Sequence, residues 1–97
     1  MNSKQRAYLR SLSNHIDPIF QVGKNGISEN LINQLNDALK ARELIKIKVL
    51  ENVDIPIKDI AEEISLQTNS IIVQIMGSKI TLYKRRKENP KIVLPKE

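Results

Sequence analysis

A chain of 97 residues with 40% hydrophobic and 28% charged side chains is sized and composed for one globular domain, too small for two and too apolar for the disordered class. Its 16 Lys and Arg against 11 Asp and Glu leave a net charge of +5, which favours a polyanionic partner, nucleic acid ahead of a membrane surface. With no cysteine and a single histidine, disulfide frameworks, thiolate zinc sites, thiol nucleophiles and two-histidine metal motifs are excluded, and no cofactor is expected.

Tyr8, Leu9, Leu12 and Ile16 recur at spacings of three and four, predicting a short helix over about Lys4 to Asn14 with Lys4, Arg6 and Arg10 off its apolar stripe. Asp17-Pro18 ends it, since the residue before proline avoids the helical region and proline has no N–H to give. A strand fits Ile19 to Val22. Gly23-Lys24-Asn25-Gly26 then makes a turn, and Ser28 caps a helix carrying Leu31, Leu35, Ala38 and Leu39 on one face, with Ile27 and Ile32 in the two staple positions. Leu44 to Leu50 alternates Ile45, Ile47 and Val49 with Lys46 and Lys48, a period of two that predicts a strand with one buried and one wet face.

Asp54 and Pro56 open a third helix with Ile57, Ile60, Ala61 and Ile64 at helical spacing; its outer face, Lys58, Asp59, Glu62 and Glu63, is acidic and a poor RNA surface. Ile71 to Met76, a type II′ turn at Gly77-Ser78, and Lys79 to Lys84 predict a closing hairpin. Residues 1–87 thus form the domain. Residues 88–97 carry Pro90 and Pro95 without sustained periodicity and are expected to be an extended or mobile tail. The order α-β-α-β-α-β-β predicts an α/β fold with a small four-stranded mixed sheet. Alternation around Lys46 argues for a two-layer sandwich, with helices mainly on one face.

The glycine turn has the chemistry. Gly23 and Gly26 flank Lys24 and Asn25 between a strand and a helix start, where the first backbone N–H groups lack intrahelical partners and the helix dipole is positive. Such a loop either is a tight strand-to-helix turn or cradles a phosphate, with Lys24 adding charge and Asn25 able to reach a sugar hydroxyl or base edge. Neither the P-loop spacing nor G-x-G-x-x-G is present, which argues against nucleotide binding.

Beyond the loop, a wider pattern resembles a known family. Lys4-Gln5-Arg6-Ala7-Tyr8-Leu9-Arg10, then His15 and Pro18, Val22-Gly23-Lys24-Asn25-Gly26-Ile27, Glu43-Leu44-Ile45-Lys46-Ile47-Lys48-Val49, and Gly77 with Leu82-Tyr83 match, in order and spacing, the CRM domain (chloroplast RNA splicing and ribosome maturation) in its single-domain bacterial YhbY-type form. The resemblance implies a fold similar to the C-terminal domain of translation initiation factor three. It also implies RNA binding through the loop and nearby basic surface, and association with precursors of the large ribosomal subunit. Lys84 stands where the family commonly has arginine.

The RNA-binding residues expected are therefore Gly23, Lys24, Asn25, Gly26, Lys4, Arg6, Arg10, Lys84, Arg85 and Arg86. Arg6 and Arg10, one turn apart, either line a phosphate track or make a solvated face. Lys46, Lys48 and Lys79 either extend the basic surface or blunt a wet strand. Tyr83 could stack on a base. His15 reads as a helix-end capping residue, not a catalytic one, and no enzyme motif is present. No apolar run approaches the roughly 18 residues of a membrane span, so a soluble, cytoplasmic monomer with no membrane partner is expected. The rival reading is a protein-interaction module of the ribosome assembly machinery that docks ribosomal proteins and has only nonspecific affinity for nucleic acid.

Overall fold

The elements run α1 (Ser3–Ser13), β1 (Phe20–Val22), α2 (Glu29–Arg42), β2 (Leu44–Val49), α3 (Ile57–Thr68), β3 (Ile71–Met76) and β4 (Lys79–Tyr83). The computed structural model describes residues 1–96; Glu97, the last residue of the expected tail, lies outside the described residues. Local chemistry sets the boundaries. Asn2 and Gln5 form a reciprocal capping box on α1, and the Ser28 hydroxyl accepts the Leu31 N–H at 3.0 Å at the start of α2. Gly77 has φ +59° while Ser78 is not in the positive region, the pattern a type II′ turn needs.

The strands order as β1-β2-β4-β3. β1 and β2 pair in parallel through the α2 crossover, while the hairpin returns β4 between β2 and β3, antiparallel to both. The class, the element order and the four-stranded mixed sheet agree with the sequence reading. On one face α2 and α3 bury Leu35, Leu39, Ile60 and Ile64 against Ile45, Ile47, Ile80 and Leu82. Each such side chain contributes roughly 1.5–3 kcal/mol by leaving water. This is the principal core, and its β2 residues Ile45, Ile47 and Val49 are the ones that alternation selected.

On the opposite face α1 and the C-terminal segment cover one end. Leu9, Leu44, Val73 and Tyr83 are buried there, and Leu12, Ile16, Ile92 and Leu94 pack against them. A bulge at Val73, where the β3 register shifts between Ile72 and Gln74, turns this extra residue inward. Tyr8, expected on the buried stripe of α1, is instead 38% exposed. Its position is one residue, about 100°, from Leu9, which takes the centre of the contact. The other end of this face stays open around Gln21, Lys48 and Lys79, which share one row of the sheet.

Candidate nucleic-acid interface

The loop folds as a turn closed by the Gly26 N–H donating to the Gly23 carbonyl at 2.8 Å, with Lys24 and Asn25 exposed at its tip. Gly26 has φ +68°, where a side chain is strained; a Cβ on Gly23 would meet only the Leu50 methyl at 3.4 Å, an ordinary contact. The first turn of α2 follows at once. Ser28 takes the Leu31 N–H, leaving those of Glu29 and Asn30 as the open donors. The Glu29 carboxylate in that turn offsets part of the dipole, so the full charge of Lys24 is the larger attraction for an anion.

The remaining expected residues lie apart from one another. Arg6 is half-buried, and its guanidinium donates to the Ile72 and Val73 carbonyls, tying α1 to the bulge of edge strand β3. Arg10 stands one turn nearer the open end of the sheet, and Lys4 is exposed near the other end. Lys84, Arg85 and Arg86 leave β4 at the end opposite the loop, roughly 15 Å away by the strand rise, and line a separate cleft with Lys40. Lys84 is partly occupied, its ammonium capping the C-terminus of α3 through the Thr68 carbonyl at 3.0 Å.

Two roles read from sequence change. Tyr83 is 2% exposed and cannot stack on a base; it belongs to the core beneath α1. His15 is exposed, and only its backbone N–H closes the helix end, on the Leu12 carbonyl, with no side-chain hydrogen bond among the described residues. Lys46 is half-buried, its ammonium donating to the Ser13 carbonyl at 2.7 Å, whereas Lys48 is exposed on the open face. Beside that contact the Ser13 and Thr81 hydroxyls, both buried, bond each other at 2.8 Å, pinning α1 to the sheet.

Tyr83 carries the one buried side-chain oxygen without a partner among the described residues. Burial, with the negative charge of Glu43 nearby, pushes the phenol above its ordinary value. An unsatisfied hydroxyl in such a place costs roughly 1–3 kcal/mol, so Tyr83→Phe is expected to raise thermal stability or leave it unchanged. A fall in melting temperature would show that the hydroxyl is bonded.

The part played by Glu43 has no signal in the local sequence. It ends α2 with φ +64°, is fully buried, and its carboxylate accepts the backbone N–H groups of Arg86 at 3.0 Å, Lys91, and Ile92 at 2.8 Å. Burial pushes this carboxyl up. The three amides, with the Arg86 guanidinium, outweigh that and hold it below the ordinary carboxylate value. The segment after β4 thus bends around this carboxylate, with Asn89 at φ +50° in the bend, and is fastened there, Gln5 also donating to the Pro95 carbonyl at 3.1 Å.

Among the described residues no group of three or more metal-ligating side chains forms, and no helix is long and apolar enough to cross a membrane. The model of the CRS1 / YhbY (CRM) domain matches residues 1–84. The chain is 47% identical to the "Probable RNA-binding protein YqeI" of Bacillus subtilis over 95 residues, covering 98% of this chain and 99% of that one. An "RNA-binding protein" of Haemophilus influenzae is 35% identical over 98 residues, covering 100% and 97%. The solution structure of the hypothetical protein SAV1595 from Staphylococcus aureus superposes with a TM-score of 0.82 at 52% identity, covering 98% of this chain and 99% of that one. With most of its length matched in sequence and in fold, this chain belongs to the CRS1 / YhbY (CRM) domain family.

Proposed function

We propose that the protein is a non-catalytic RNA-binding factor that holds the backbone of ribosomal RNA in large-subunit precursors, in the cytoplasm and as a monomer. The observation that carries this reading is the loop: Lys24 and Asn25 exposed on a turn closed by Gly23 and Gly26, directly ahead of open helix N–H groups. Relatives across nearly the whole chain are named RNA-binding proteins, which supports the partner class.

Affinity on this reading comes from phosphate and sugar contacts. Lys48 and Lys79 share a row at the open end of the sheet and extend the track, with Arg10 one helical turn nearer that end than Arg6. Lys4, Arg6 and the far cleft of Lys84, Arg85 and Arg86 join only when the RNA is long enough to pass over or around the molecule, whose longest dimension is 40 Å. Engagement of about four phosphates gives a slope of roughly −3 to −4 for the logarithm of affinity against the logarithm of salt. A titration of the protein with large-subunit ribosomal RNA fragments at several salt concentrations measures it. A slope near zero would instead favour the protein-docking reading.

A further inference from the structure

β1 has three residues and β2 six, and the shortfall leaves a notch in the sheet. The parallel ladder begins at Phe20 and Ile47, so no strand lies beside Leu44 and Ile45 on that edge. Toward β4, the Glu43 carbonyl accepts from Lys84 and the Val49 N–H donates to Ser78. By the alternation of an antiparallel pair, Leu44 and Lys46 turn their amide groups the other way. The Lys46 carbonyl takes the Ile19 N–H at 3.0 Å; those of Leu44 face the notch.

Leu12 at the end of α1, Ile16 from the turn that follows it and Ile92 from the fastened C-terminal segment wall this notch into a groove of about 440 Å³. That volume lies within the roughly 300–1,000 Å³ of small-ligand clefts. Its rim carries His15, Arg42, Lys46 and Lys91 against a single carboxylate, Asp17. Lys46 is engaged by Ser13, but His15, Arg42 and Lys91 are exposed. Apolar walls, a free strand edge able to donate and accept, and a cationic rim suit a flat heteroaromatic ring bearing a phosphate. The free edge is two residues long, too short to add a peptide strand, which typically spans about five.

Position agrees. The groove begins at Ile19 and the glycine loop at Gly23, four residues or about 13 Å apart at ~3.3 Å per residue along β1. Gln21 and Lys48 are exposed between them, so a single strand lying on the loop reaches the groove within a few nucleotides. We infer that the notch beside Leu44 is a second RNA subsite, which takes one unstacked base of a single strand with its phosphate on Arg42 and Lys91. This rests on the reading of the loop as a backbone clamp.

The test compares a mixed-sequence RNA decamer with an abasic ribose-phosphate decamer of equal length, each titrated into the full chain. Methyl NMR reads Leu12, Ile16 and Ile92, and anisotropy reads affinity. The decamer with bases is expected to bind at least about fivefold more tightly and to shift those methyls, which the abasic strand leaves in place. Arg42→Gln/Lys91→Gln should lose most of this preference at unchanged melting temperature, whereas Lys24→Glu should weaken both strands and keep the ratio. Equal affinity with unmoved methyls overturns the groove while leaving the loop standing, provided Lys24→Glu still weakens binding. If neither strand binds, both readings fall. Methyl shifts produced by an acidic decapeptide and not by RNA would reassign the groove to protein.

Discussion

Replacing Glu43 with alanine lowers the melting temperature by roughly 10–20 °C. The carboxylate is the acceptor for three backbone N–H groups that fasten the C-terminal segment, and among the described residues no other side chain accepts from them. Each donor left unsatisfied in a partly buried site costs about 1–3 kcal/mol, less where water enters as the segment lifts. A total of about 2–4 kcal/mol follows. For 97 residues at roughly 2.1 cal/mol/K of unfolding entropy each, one kcal/mol is about 5 °C. Glycine at this position would relieve the strain of φ +64° but leave the same donors empty, so it should not restore the wild type.

Glu43→Gln keeps the shape but sets an amide donor against an amide donor at one oxygen. The pH dependence separates charge from shape. Because the folded carboxyl is held below its ordinary value, its contribution is complete above about pH 4.5 and is lost as pH falls through the lower folded value. The melting gap between wild type and Glu43→Gln should therefore be constant near neutrality and close on acidification. Circular dichroism melts over that range measure it. Hydrogen exchange at Lys91 and Ile92 should quicken in both variants. Equal melting of wild type and Glu43→Ala at neutral pH would mean the segment is not held by this carboxylate.

Lys24→Glu weakens binding to large-subunit ribosomal RNA by roughly tenfold to a hundredfold, equivalent to about 1.4–2.7 kcal/mol. Losing one phosphate contact flattens the salt slope by about 1, and the new carboxylate repels the same phosphate. Lys24 is exposed at the tip of the turn, so the melting temperature should not move. Gly23→Ala is the companion test. The Leu50 methyl at 3.4 Å can accept the added carbon, so the fold tolerates it, but a Cβ there holds a ligand backbone away. Intact stability with reduced RNA affinity is expected. Unchanged affinity in both variants would remove the loop from the interface.

The elements were legible because their signals are local. Alternation through Ile45, Ile47 and Val49 fixes which face of β2 is dry, and Ser28 and Gly77 mark a helix start and a hairpin turn within a few residues of where they act. The glycine loop was legible for the same reason: turn, lysine and helix start are contiguous in the chain. Whether the expected basic residues form one surface was not legible, since sequence distance says nothing of which end of a sheet a residue leaves from. β4 carries Lys84, Arg85 and Arg86 away from the loop, and Arg6 is drawn to the edge carbonyls of β3.

From sequence alone came the class, the order of elements, the principal core and the loop, each set by backbone preference and hydrophobic period over short stretches. Tertiary structure alone decided that α1 shares a face with Ile92 and Leu94, that a buried carboxylate at the end of α2 gathers three amides from about 45 residues downstream, and that a strand cut short opens a groove. Those depend on contacts between segments distant in the chain. Their stabilisation arises only once loop closure has brought the partners together, and no local periodicity records it.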